Sequence, residues 1–110
     1  MNSDEVKKAL NVDPRVGKWI GCGGITYLSL KEASYWIYPI LRKKYKILIF
    51  SGDTDGIIPT YGTRLWIKDL GWNIMVKEKP WFIDGQVAGY IENYDGLDFA
   101  TVHGAGHLST

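Results

Sequence analysis

Cysteine is almost missing from this chain of 110 residues: Cys22 stands alone. A single thiol cannot close an intramolecular disulfide, so it is either reduced or half of a bridge whose other half lies elsewhere. Long apolar runs are missing too. Stretches such as "ILIF" at 47–50 fall far below the roughly 20 residues that a membrane-spanning helix needs. The opening "MNSDEVKK" is acidic and polar where a secretory signal would be basic and then apolar, so nothing in it directs secretion. No one sign of charge dominates. Thirteen Lys and Arg face twelve Asp and Glu for a net charge of +1, and the only local concentration is "LRKKYK" at 41–46. That excludes the broad basic footprint of a nucleic-acid binder. Internal repeats and low-complexity stretches do not occur.

What is present describes a folded polypeptide. Hydrophobic residues make up 45% and charged residues 23%, which excludes an intrinsically disordered class. The length allows one domain at most, or a piece of one. A chain this short buries only about two thirds of its extended surface, so its stability margin is thin. Five Trp and seven Tyr are many for the length, and such side chains supply core or interface area.

Local patterns predict the elements. Ser3 with Asp4 and Glu5 offers an N-cap and first-turn carboxylates for a helix to about Leu10, ended by "DPRVG" at 13–17. Residues 17–28, with four glycines and no clear period, read as a loop rising into something extended. Pro39 disfavours helix before it, which places a short helix at about Pro39 to Lys44. "KILIFSG" is a continuous β-rich run closed by glycine, the pattern of a strand buried on both faces. After "DTDGIIP", the segment from about Thr60 to Leu70 reads as a helix with Gly71 just past its end. Residues 86–94 and 97–102 flank Asp95-Gly96, the dipeptide of a type I′ hairpin turn. A buried strand feeding a helix implies an α/β fold with an open sheet, whose ligand sites lie off the carboxyl ends of the strands.

Histidine is the side chain that exchanges protons near neutral pH. His107 lies on the glycine-rich loop "VHGAGHLST" after the last predicted strand, and Asp53 and Asp55 follow the carboxyl end of the buried one. If those strands share a sheet, the loops converge and a carboxylate can bond the imidazole Nδ1, the orienting pair of a nucleophilic hydrolase. Without that convergence, His107 is a solvated histidine near a terminus. The order Asp before His is the α/β-hydrolase order, with the nucleophile earlier still. A metal site at His103 and His107 is disfavoured, because the spacing of four unites ligands on a helix and Gly104 and Gly106 argue against helix.

"ILIFSGDTDGIIP", "WFIDGQVAGYIENYDGLDFATVHGAGH" and the opening "SDEVKKALNV" with its later Trp-Ile-Gly-Cys resemble successive landmarks of the serine carboxypeptidase family. The resemblance covers nearly all of residues 1–110, in order. It implies the carboxyl-terminal part of an α/β-hydrolase sheet: a buried strand–helix unit, then a β-hairpin ending in the catalytic-histidine loop, incomplete as a domain. It assigns the triad aspartate to Asp55 and the histidine to His107. Pro59, four residues beyond Asp55, fits the family's habit of acid, apolar stretch and proline. Asp53 is left a structural job, bonding nearby backbone amides. Cys22 matches a cysteine that bridges to the amino-terminal half, which becomes the implied partner chain. Release of carboxyl-terminal residues from peptides is the implied activity, with no cofactor or metal, and the implied setting is secreted, vacuolar or lysosomal.

The chain departs from that family in what it lacks. None of Ser3, Ser29, Ser34, Ser51 and Ser109 has glycines at both −2 and +2, so the Gly-x-Ser-x-Gly nucleophile elbow is missing, and so is a glycine-rich oxyanion loop ahead of it. Cys22 is a poor substitute, with Ile20 where the elbow needs glycine and no buried strand leading in. The usual apolar residue, proline and final helix after the histidine are replaced by "LST". These gaps predict a fragment that hydrolyses nothing alone, with the edges and apolar faces of "KILIFSG" turned to water and tryptophans meant for a core outside the chain. A carboxypeptidase-like acyltransferase or hydroxynitrile lyase carries the same two residues. A catalytically dead binding or scaffold module is the alternative of another class.

Overall fold

A computed structural model describes residues 2–21, 26–29 and 33–109. The chain divides into two compact units, Met1–Lys31 and Glu32–Thr110. In the first, helix α1 (Asp4–Ala9) begins as its sequence dictates: the Ser3 side chain accepts a hydrogen bond from the Val6 amide, and Asp4 and Glu5 fill the first turn. Asp13 holds Arg15 beyond it, with Arg15 Nε 3.0 Å from the carboxylate. Cys22 lies outside the described residues, as does part of the loop expected at 17–28.

The second unit carries a four-stranded sheet in the order β1-β4-β3-β2. Strand β1 (Ile47–Gly52) runs parallel to β4 (Leu97–Val102), with Ile47 opposite Leu97 and Phe50 opposite Ala100. Strand β3 (Gln86–Tyr94) is antiparallel to both β4 and β2 (Ile74–Ile83). Helices and strands thus form a mixed α/β fold. Helix α3 (Thr60–Asp69) lies on one face, with Gly71 just past its end at φ +67°. Ile67 of α3 meets Leu97 and Phe99 of β4 in the core, and Ile47, Ile49, Trp66, Leu70 and Trp72 pack around them.

The period of two in β1 divides its side chains between that core and the opposite face. Leu48 and Phe50 point the other way and are 59% and 60% exposed. The strand expected to be buried on both faces is therefore covered on one: Ile47 and Ile49 pack on the core cluster beneath α3, with Tyr38 of the helix before β1 beside them, while Leu48 and Phe50 face away from it. Its outer edge pairs with no strand among the described residues.

Two further expectations change. The short helix α2 spans Tyr38–Leu41, with Pro39 in its first turn, and follows a 3₁₀ turn at Tyr35–Ile37. It starts one residue before Pro39 and stops before Lys44, since proline's fixed φ suits the first turn. The β3–β4 hairpin has the expected two-residue loop, with Tyr94 paired to Leu97, but only Gly96 has positive φ (95°), so the turn is not type I′. The pair of positive φ values belongs to Asp84 (49°) and Gly85 (76°), which join β2 to β3 with Ile83 opposite Gln86.

The tryptophans also find more partners than expected. Trp66 stacks obliquely on Tyr38 at 4.9 Å, the Arg42 guanidinium lies 4.4 Å from the Trp72 ring centre, and Trp81 Nε1 donates to the Thr101 carbonyl at 2.9 Å. Only Trp19 and Trp36 are more than half exposed among the described residues.

Candidate active site

Two loops leave the carboxyl ends of the parallel strands β1 and β4 side by side. The first is Gly52-Asp53-Thr54-Asp55, the second His103 to His107. They are laced together by backbone: Asp53 N donates to Val102 O at 3.1 Å and Thr54 N to Ala105 O at 3.1 Å. The Thr54 hydroxyl donates to the same Ala105 oxygen at 2.8 Å. Gly52 makes this approach possible. A Cβ there would fall well inside van der Waals contact with the carbonyl oxygens of Ala105 and Gly106.

Asp55 and His107, 52 positions apart, meet across these loops with Nδ1 3.0 Å from Oδ2. The other carboxylate oxygen, Oδ1, accepts from the amides of Ile57 (2.7 Å) and Ile58 (3.0 Å). The Asp55 side chain is 6% exposed while His107 is 47% exposed, so the acid is fixed beneath an imidazole whose far edge meets solvent. The His107 bond holds the Asp55 carboxyl below its ordinary 3.8, desolvation opposes it, and the two amides assist. A carboxylate only accepts. Neutral His107 therefore carries its proton on Nδ1 and presents the Nε2 lone pair outward.

Asp53 forms a second pair that sequence reasoning missed. Its Oδ2 lies 2.8 Å from His103 Nδ1, and Oδ1 accepts the Gly104 amide at 2.7 Å. The expected bond to a backbone amide is there, joined by an imidazole. The signal lay in the spacing: two acids two residues apart on one loop, two histidines four apart on the other. The His103 bond leads in lowering the Asp53 carboxyl, with desolvation opposed and the Gly104 amide helping.

The helix entrance is pinned to the same loop. Thr60, first residue of α3, donates from its hydroxyl to Gly52 O at 2.8 Å and shares a bond with Ser51 Oγ at 2.9 Å. Among the described residues no three His, Cys, Asp or Glu side chains converge as metal ligands, and no helix is long and apolar enough to cross a membrane.

The arrangement can do one kind of chemistry unaided: an oriented, partly solvated imidazole can take a proton at Nε2 and return it. Comparison with known proteins gives that pair a context. The family model described as serine carboxypeptidase matches residues 1–110. Serine carboxypeptidase 24 of Arabidopsis thaliana is 37% identical over 112 aligned residues, covering 96% of this chain and 24% of that protein. Serine carboxypeptidase-like 17 of the same plant is 39% identical, covering 98% and 26%. Serine carboxypeptidase 1 of Hordeum vulgare is 39% identical over 95 residues, covering 84% and 19%. The chain spans about a quarter of the length of the curated relatives it matches.

Proposed function

Because this chain belongs to the serine carboxypeptidase family, we propose that Asp55 and His107 are the acid and base of a serine-hydrolase triad that releases carboxyl-terminal residues from peptides. The observation that carries this reading is the bond of 3.0 Å between Asp55 Oδ2 and His107 Nδ1. Asp55 holds the tautomer in which Nε2 accepts. A serine hydroxyl delivered to Nε2 loses its proton there as its oxygen attacks the scissile carbonyl. The imidazolium, stabilised by the Asp55 carboxylate, then returns the proton to the leaving amine. Water repeats the cycle on the acyl-enzyme.

The serine and the oxyanion donors belong to a partner segment, since none of the serines here sits between glycines at −2 and +2. The sheet then is the carboxyl-terminal part of an α/β-hydrolase sheet, with the missing strands added along β1. Residues 1–110 are one portion of that larger domain, joined to its amino-terminal half through Cys22 and the open edge of β1. A secreted or vacuolar setting suits such a bridge, because disulfides persist in oxidising compartments.

The test combines this chain with the amino-terminal three quarters of a family relative under oxidising conditions and measures release of the last amino acid from a blocked dipeptide. Activity is expected from the pair and from neither part alone. Asp55→Asn in the reconstituted protein is expected to lower kcat on the order of 10⁴-fold, because the amide donates to Nδ1 and leaves Nε2 protonated. No release from a mixture shown to be associated, or undiminished release with Asp55→Asn, sinks the proposal.

A further inference from the structure

The Asp53–His103 pair has no part in that proton transfer, yet it lies on the same two loops. We propose that Asp53 is a positioning residue whose carboxylate clasps the start of the His107 loop and so sets where His107 meets Asp55. The idea rests on the proposed function only where activity is read.

The bonds run in sequence along the loop. Val102 O receives the Asp53 amide, His103 and Gly104 donate to the two oxygens of the Asp53 carboxylate, and Ala105 O receives both Thr54 donors. Asp53 therefore supplies both side-chain bonds at residues 103 and 104, immediately before the turn that delivers His107. Gly104 has φ +70°, and the loop around it has two glycines in three residues, Gly104 and Gly106. Glycine loses more backbone freedom on ordering than any other residue, so this loop needs external bonds to stay in one conformation.

Packing does not supply them at His103, whose side chain is 71% exposed. Its backbone is tied instead, by its amide to Ala88 O at 2.8 Å. The imidazole of His103 is thus held by hydrogen bonds to Asp53 on one loop and, through its backbone, to β3. Removing the carboxylate frees Gly104 while the β3 and β4 pairings stay in place. The expected result is a His107 that samples positions away from Asp55.

A titration of the Asp55 carboxyl, followed by carboxyl carbon NMR on the labelled 110-residue chain carrying Leu48→Ser and Phe50→Ser on the exposed face of β1 to disfavour association, reads this without any activity. The His107 bond is the leading cause of that group's depression below 3.8, so Asp53→Ala is expected to raise its midpoint toward that value. Asp53→Asn keeps an oxygen for the Gly104 amide and is expected to hold the midpoint near the parent. His103→Ala, an exposed change that spares the Gly104 bond, is expected to move it part of the way. If Asp53→Ala does not fold, His103→Ala decides. An Asp55 midpoint left where it was by these alanine variants, with the strand amide signals intact, overturns the proposal.

A second arm uses the reconstituted enzyme. Asp53→Ala is expected to lower kcat on the order of 10²-fold with KM unchanged, the scale of a misplaced catalytic group, and Asp53→Asn to recover most of it. An inactive parent whose Asp55 titration responds as expected sinks the proposed function and leaves the positioning role standing. An active parent matched by a fully active Asp53→Ala sinks the positioning role alone.

Discussion

Each acid of the Gly52-Asp53-Thr54-Asp55 turn is held as a carboxylate by the same two means, an imidazole Nδ1 on one oxygen and backbone amides on the other. Both carboxyls are accordingly held below 3.8, led in each case by the imidazole bond. A depressed carboxylate stabilises the folded state fully above its unfolded value, and that contribution disappears as the pH falls through the lower, folded one. The two loops are therefore expected to stay joined as acid is added down to about 3.8 and to separate below it. The amide protons of Gly104 and Ile57, which these carboxylates accept, report the change directly. Their chemical shifts are expected to move together beneath that pH. The Gly104 transition is expected to vanish in Asp53→Asn. A Gly104 shift that titrates unchanged in that variant would falsify the assignment of the acid limb to this pair.

At the scale of elements, what the sequence made legible was what repeats. β1 announced itself by "ILIFSG", α3 by its span from Thr60 to a glycine past its end, and the β3–β4 hairpin by two apolar runs about Asp95-Gly96. β2 did not. "IMVKEKPWFI" mixes charges with Pro80, and every residue but one is exposed, because β2 is an edge strand on which proline and lysine are tolerated. With β2 unread, Asp84-Gly85 had no first strand to turn from, so the positive-φ turn was placed at the wrong dipeptide. The meeting of Asp55 and His107 was legible because the family resemblance assigns both residues and the sheet order brings their loops together. The Asp53–His103 pair was not, because nothing local says which of two acids faces which of two histidines. The approach of the two loops depends instead on a residue with no chemistry, Gly52. In Gly52→Ala the new methyl must displace the backbone carbonyls of Ala105 and Gly106. Overpacking of this kind costs about 1–3 kcal/mol, and here the displaced segment is the one that carries His107. Gly52→Ala is expected to lower the denaturant midpoint accordingly and to abolish peptide release in the reconstituted enzyme. Parent-like activity would show that the 105–106 turn yields without moving the imidazole.

For the molecule as a whole, the uncovered side of the sheet decides behaviour. Ile47 and Ile49 reach the core under α3, but Leu48 and Phe50 on the opposite face stay more than half exposed. Past the end of β1, Ile57 and Ile58 are 74% and 57% exposed, next to the acid of the candidate site. A strand edge without a partner beside an apolar face is the surface that pairs with other chains. A chain that spans about a quarter of its relatives' length has this face open where the rest of the domain is proposed to dock. The purified chain is therefore expected to bind a hydrophobic dye and to elute from a sizing column as associated species. Leu48→Ser with Phe50→Ser is expected to reduce both signals, since those two side chains are the exposed half of β1. The same pair of changes is expected to weaken reconstitution by about 1.5–3 kcal/mol per side chain, the worth of burying each. A monomer that melts in one cooperative step without binding dye would mean that these 110 residues already satisfy their own sheet. The partner segment would then lose its physical reason to dock, and the chain would fit the scaffold module better than the hydrolase.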